Sequence, residues 1–329
     1  MTTTTFTRRA ASVLLAGFLG ATAFAGTAMA ADTYPDKEVT IVVPFSAGGS
    51  TDQLARILAE QLSTKLGKRF LVDNVPGAGG NIAMGQVARA KPDGYTLILV
   101  SSSFVVNPGL YAKVPYDPVK DFAPISYIAS APSFLIVNPK LGVKTFQEFL
   151  AKAKAEPGMF YASPGIGTAQ HLAGELLKSQ AKIDIEHAPY SGAGPAVTAV
   201  LSNEAPIGFA SVPSSIQHVQ SGALIALGVT TLEPSASAPD VPTLDKAGLT
   251  GYEVDHLQGL LAPAGTPSDV VAKLSGAVQE IMGDPAMKAR LTKLGFVPVG
   301  STPEQFAKTI DAQVAKWKAV IASAGIKAK

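Results

Sequence analysis

The chain of 329 residues contains no cysteine. Disulfides therefore contribute nothing to its stability, thiol catalysis is excluded, and no lipid can be anchored through a cysteine. Arginine is nearly as scarce: after Arg8 and Arg9, only Arg56, Arg69, Arg89 and Arg290 remain. Four histidines are present, His171, His187, His218 and His256. His171 and Glu175 share a helical face, but no third group stands at a spacing that completes a zinc site. GxxxxGK[ST] is missing, and PGAGGN has Ile82 where a dinucleotide fingerprint needs its third glycine. No GxSxG elbow marks a serine hydrolase. Ser50 remains a formal nucleophile, and a hydrolase acting on small esters stays open as the rival of another class.

The amino terminus has a separate logic. Arg8 and Arg9 precede an apolar stretch from Ala11 to Phe24, which ends in Ala28-Met29-Ala30. Basic, apolar and small-residue segments in that order predict a secretory signal over residues 1–30, cleaved after Ala30, and a periplasmic mature protein. No second apolar run of membrane-spanning length follows. The 27 basic residues lose those two arginines with the signal, leaving 25 against 25 acids. A net charge near zero offers nothing that would draw the mature chain to nucleic acid or to a membrane surface.

The rest alternates β-branched runs with amphipathic stretches, which predicts an α/β fold with mainly parallel sheets. Strands are expected at Glu38–Val43, Arg69–Asp73 and Tyr95–Val100. The pattern starts over after residue 130, with strands at Phe134–Val137, Met159–Ala162, Ile183–His187, Ile207–Phe209 and Leu224–Val229 and a helix at Phe146–Ala155. A Pro/Ser-rich connector, TTLEPSASAPDVP, precedes a last part with one strand and two or three polar helices. The order fits two units, the second inserted into the first: 31–131 with 232–329, and 132–231.

Three strand ends share a design of small-residue loop, cap and helix. In PFSAGGSTD (44–52), Ser50 and Gln53 match a capping box. In SPGIGTAQH (163–171), Thr168 is the expected cap. In YSGAGP (190–195), Pro195 is expected at the first helical position. Glycines let a ligand approach the main chain, and helix N-termini offer unpaired N–H groups with positive partial charge. Arg56 lies four residues after Asp52 and can pair with it, and no arginine stands in these loops. An anion here would be held by main-chain N–H groups, hydroxyls and water, which suits a carboxylate better than a phosphate.

The segments VTIVVPFSAGGSTDQLAR, VDNVPGAGGNIAMGQVARAKPDGYTL, YASPGIGTAQHLAGELL, APYSGAGPAV and LQGLLAPAGTP occur in this order. From about Tyr34 to the last helices, the chain resembles the substrate-binding proteins of tripartite tricarboxylate transporters, the Bug family. The resemblance implies a type II, two-lobed periplasmic binding protein without cofactor or catalytic residue, whose lobes close on a small mono- or dicarboxylate. The implied first jaw is Phe45, Ser46, Ala47, Gly48, Gly49, Ser50, Thr51 and Asp52. The second is Ser163, Pro164, Gly165, Gly167, Thr168, Ala169 and His171. By the same resemblance, Ser102, Ser103 and Asn107 match a hydroxyl-bearing stretch beside the cleft, and Tyr190, Ser191 and Gly192 match another wall. Glycines 48 and 167 are expected to reject a β-branched side chain.

Two departures bear on the ligand. Ala210-Ser211 stand where many members carry an acid-amide pair, and Leu257-Gln258 where an aromatic is common. Both imply a ligand without a cationic amine. The implied partners are the membrane subunits of the transporter, with a sensor kinase as the alternative reader of the closed form. A monomer is the family expectation.

Overall fold

A computed structural model describes residues 1–2 and 34–324, so the expected signal segment lies, from residue 3 on, outside the described residues. The chain folds into two sheets flanked by helices. The first unit opens with β1 (Val39–Val43), whose VTIVV run is almost wholly buried, and α1 (Ser50–Leu66), which turns Leu54, Ile57, Leu58 and Leu62 inward. There follow β2 (Phe70–Asn74), α2 (Asn81–Val87), β3 (Thr96–Ser101), α3 (Ser103–Leu110) and β4 (Phe122–Ser130).

The chain then leaves for the second sheet. It forms β5 (Ser133–Val137), α4 (Phe146–Ala155), β6 (Met159–Ser163), α5 (Ala169–Ala181) and β7 (Ile185–Pro189). It continues through α6 (Ala193–Ser202), β8 (Ile207–Ser211), α7 (Val212–Gln220) and β9 (Ile225–Val229). It returns through β10 (Leu257–Pro263), α8 (Ser268–Gly283), α9 (Pro285–Lys293), β11 (Val297–Pro298) and α10 (Pro303–Ala324).

The strand orders are β11-β4-β10-β3-β1-β2 and β7-β6-β8-β5-β9. Both sheets are mixed, where the alternation of elements predicts mainly parallel ones. The pairs β1–β2, β1–β3, β6–β7 and β6–β8 are parallel. The returning strand β10 runs antiparallel between β3 and β4, and β5 runs antiparallel between β8 and β9. The cause is the crossing itself: a strand that enters a sheet from the other lobe meets it from the opposite end.

Three elements were not expected from the sequence, for local reasons. Phe122–Ser130 carries a proline and small residues and lacks clean alternation. SFVVNPGL, to which the sequence pattern assigns no element, forms α3, with Pro108 inside it. The two-residue β11 is too short to leave a periodic signal.

The two connections between sheets lie side by side. Ala131 N–H donates to the His256 carbonyl at 2.9 Å, and Ser133 exchanges bonds with Thr230. Thr230 Oγ1 in turn donates to the Val254 carbonyl at 2.7 Å. This paired crossing fixes how the strand ends of the two lobes face one another, and the candidate site lies between them.

Candidate functional site

Four helix N-termini converge on one cavity between the lobes. Lobe one supplies Phe45, Gly49, Ser50, Thr51, Asp52 and Ser101. Lobe two supplies Pro164, Thr168, Gln170, Ala193 and Ser211, and the crossing segment supplies His256. The space enclosed between these walls is small, ≈ 20 Å³, about what one water needs, so the two lobes stand close together here. Among the described residues no lysine or arginine lines it.

The first jaw is braced from behind. Asp52 accepts from Gly48 N–H at 2.9 Å, from Arg56 Nε at 3.1 Å and from Asn74 Nδ2 at 3.0 Å. Asn74 Nδ2 also reaches the Phe45 carbonyl at 3.0 Å, so one amide and one carboxylate pin both ends of the loop. Burial raises the Asp52 pKa, but these donors and the Arg56 charge outweigh it and hold the carboxyl below its usual value. The expected Arg56–Asp52 pair forms, at 3.0 Å.

The expected capping box does not form. Gly49 is the N-cap, Ser50 is already helical, and no side chain caps the helix. Asp52 has taken over the loop, which leaves the Ser50 and Thr51 hydroxyls and the first main-chain N–H groups beside the cavity. Among the described residues neither hydroxyl has a hydrogen-bond partner.

The second jaw follows the expectation at its cap: Thr168 Oγ1 accepts from His171 N–H at 3.2 Å and donates to the Gly165 carbonyl at 2.7 Å. Helix α6 begins earlier than expected, with Gly192 at the cap and Pro195 third in the helix rather than first. Its missing N–H still costs nothing there, because the first turn has no intrahelical partners to lose. The jaws touch: Ser46 N–H and Oγ donate to the Ser191 carbonyl at 3.3 and 3.1 Å, and the two hydroxyls lie 3.1 Å apart.

Several residues named from the resemblance stand elsewhere. His171 turns to the far side of its loop, where its ring stacks on His187 with centroids 4.2 Å apart. Burial pushes both imidazoles down, to about 4 and about 3. Ser163 is fully buried and bonds His187 Nε2 at 2.6 Å, which makes it a support of the loop. Ser102 accepts from Leu257 N–H at 2.9 Å, stitching β10 to β3, and Ser103 bonds Ser101 at 3.1 Å. Asn107 donates to Asn81 Oδ1 at 2.8 Å and to the Gly79 carbonyl at 3.1 Å. Tyr190 bonds Glu204 near the surface at 2.9 Å. Ala47, Gly48, Gly165, Gly167, Ala169 and Ala210 shape the loops and strand ends but do not line the cavity.

Ser101, Gln170, Ala193 and His256 line the cavity and were not among the expected residues. Gln170 and Ala193 fall inside or beside loop motifs already visible in the sequence, so adjacency could have found them. His256 sits in an irregular stretch with no motif and is delivered only by the lobe crossing. Its Nδ1 lies 3.3 Å from Gln170 Nε2, and burial lowers its pKa to about 4, so the ring is neutral near pH 7.

A family model described as "Tripartite tricarboxylate transporter family receptor" matches residues 54–326. Protein BugT of Bordetella pertussis (strain Tohama I) is 34% identical over 316 residues, 95% of this chain and 97% of that protein. The solved structure of R. palustris Rpa4515 with adipate has a TM-score of 0.87 at 33% identity, covering 89% of this chain and 99% of that one. MatC from Rhodopseudomonas palustris with bound malate has a TM-score of 0.82 at 32% identity, covering 88% of this chain and 100% of that one. These neighbours share the two-lobed fold and are binding proteins rather than enzymes.

Proposed function

We propose, from the premise that this chain belongs to the tripartite tricarboxylate transporter receptor family, that it captures a small organic acid between its lobes. In this reading the closed form is then presented to the membrane subunits of such a transporter. The observation that carries the reading is the convergence of four helix N-termini on a cavity lined by hydroxyls and main-chain N–H groups, with no lysine or arginine. Such N-termini favour negative charge without a point cation. A singly charged carboxylate matches them, whereas a phosphate would call for guanidinium or ammonium partners. The acids bound to the two neighbouring structures support the same ligand class.

Capture works through lobe closure. Ser50, Thr51 and Gly49 sit on one lobe and Thr168, Ala193 and Ser211 on the other, so an acid touching both favours the closed form by its differential affinity. Among the described residues that line the cavity no carboxylate is left free to pair with a cation, since Asp52 is occupied by Arg56, Asn74 and Gly48. The ligand therefore carries no ammonium group. A thermal-shift screen of small carboxylic acids, followed by calorimetry, tests the reading. A true ligand at a hundredfold excess over Kd stabilises the protein by about 2.7 kcal/mol. Tight binding of aspartate or glutamate would contradict the amine-free ligand, and silence across the whole screen would contradict carboxylate capture.

A further inference from the structure

The loop of the second jaw is tied down from the side away from the cavity. Gly165 and Gly167 have φ +138° and +82°, and glycines there leave a loop free to move unless its polar groups are held. Ser163 Oγ accepts from Gly165 N–H at 3.2 Å, and the Gly165 carbonyl accepts from Thr168 Oγ1 at 2.7 Å. A further tie is Gly167 N–H, which donates to His171 Nδ1 at 3.3 Å. Pro164 and Thr168 line the cavity, and a Cβ on Gly167 would strike Asn107 of the other lobe, so this loop bears on both ligand and closure.

The His171 tie differs from the others in kind. A main-chain N–H can only donate, so Nδ1 must carry a lone pair, which fixes the neutral tautomer with its proton on Nε2. A proton on Nδ1 would set donor against donor and break the bond. The ring has little room to turn away, because it is 4% exposed and stacked on His187 with centroids 4.2 Å apart. His187 is held in turn by Ser163, whose Oγ lies 2.6 Å from its Nε2.

The charged and titratable groups around the ring come from three elements. Glu175 and Lys178 stand on its own helix, Glu186 and His187 on β7 with Asp184 in the link before it, and Tyr161 on β6 donates to Glu175 at 2.7 Å. Burial pushes the His171 imidazole down to about 4, although the Glu175 carboxylate pulls the other way.

We infer that His171, which does not line the cavity, is a positioning residue for ligand capture: its unprotonated Nδ1 holds Gly167 and so sets Pro164 and Thr168 against the bound acid. The inference rests on the carboxylate-capture reading and adds the residue that keeps the second jaw in its binding geometry. Without the tie the loop must be ordered at the moment of binding, and that cost appears as lost affinity. The same bond makes capture sensitive to acid: it is complete near pH 7 and is lost as pH falls through the folded value of about 4.

The test is calorimetry on the full mature protein with malonate, succinate, glutarate, adipate, malate, butyrate and benzoate, the tightest binder serving as probe. His171→Asn keeps an acceptor oxygen on the carbon that carries Nδ1 and does not titrate there; His171→Leu has no acceptor, and both lose the ring stack. Near pH 7, His171→Asn should stay within about threefold of wild type, and His171→Leu should bind about tenfold more weakly, the worth of one hydrogen bond. Between about pH 6 and pH 3.5 the wild type should lose about fourfold relative to His171→Asn, a ratio in which the ionisation of the probe cancels.

His171→Leu binding as tightly as His171→Asn, or an acid loss as large in His171→Asn as in wild type, overturns the inference and leaves carboxylate capture standing. No binding of any panel acid to the wild type overturns carboxylate capture itself. If acid unfolds the chain before pH 3.5, the comparison of the two variants near pH 7 decides alone.

Discussion

Gly167 lies in the second jaw with φ +82°, and a Cβ built there would sit 1.9 Å from Asn107 Oδ1 and 3.0 Å from its Cγ. Asn107 belongs to α3 of the other lobe, so the collision exists only when the jaws are together. Asn107 cannot swing aside freely, because it is fully buried and donates to Asn81 and to the Gly79 carbonyl. Displacing it forfeits two hydrogen bonds of about 0.5–1.5 kcal/mol each. Gly167→Ala should therefore weaken ligand binding by about 1–3 kcal/mol, roughly 5- to 150-fold. The positive φ adds roughly 1–2 kcal/mol for an L-residue, but this falls on open and closed forms alike and lowers the melting temperature instead.

Gly48→Ala separates the two effects. Gly48 has φ +88°, yet its Cβ would meet nothing within 4 Å. It should lose a few degrees of melting temperature and keep its affinity, although the sequence suggests that both glycines matter equally. Calorimetry with the best acid from the screen, on Gly167→Ala, Asn107→Ala and the double variant, completes the assay. The double variant should bind more tightly than the two single losses added together, because the side chain that collides is gone. Wild-type affinity in Gly167→Ala, or purely additive losses in the double variant, would falsify the closing contact.

Other consequences follow from neighbouring contacts. Ser46→Ala removes hydroxyl bonds across the jaws and should weaken acid binding by about 0.5–1.5 kcal/mol without moving the melting temperature of the open protein, as read by calorimetry and calorimetric melting. Asp52→Asn should flatten the pH dependence of melting below about pH 4. A carboxyl held low in the fold contributes stability above its unfolded pKa of about 3.9, and loses it as pH falls through the folded value. His171, His187 and His256 are depressed to about 4, about 3 and about 4, so their contribution is present above the unfolded pKa of about 6.5. It drains away as pH falls toward the folded values, and proton NMR should find the three rings still neutral near pH 5. Gly259→Ala would place a Cβ 2.0 Å from the Phe306 ring and should cost about 1–3 kcal/mol in denaturant titration, with β10 the element that shifts.

Much of this protein is legible in the residue string because it is local. Apolar runs such as VTIVV declare buried strands, and the spacing of Leu54, Ile57, Leu58 and Leu62 declares the inward face of α1. Thr168 caps α5 as its position before AQH suggests, and the scarcity of arginine already restricts how an anion can be held. These features depend on neighbours a few residues away, so periodicity and capping preferences carry them.

Other features depend on partners far along the chain. Whether Ser50 or Gly49 caps α1 was decided by Asp52, once Arg56 and Asn74 had fixed its carboxylate. His171 looked like a jaw residue until the packing of α5 against β7 turned its ring onto His187. The residue string alone determined the strand and helix repertoire, the glycine-rich loops and the lack of cationic clamps. Tertiary structure decided the mixed strand directions, the contacts of Ser46 with Ser191, and the gathering of Ser101, Gln170 and His256 around one cavity. The physical reason is that two chain crossings, 131–133 and 230–256, set the position of one lobe against the other, and no local preference encodes a distance between residues a hundred positions apart.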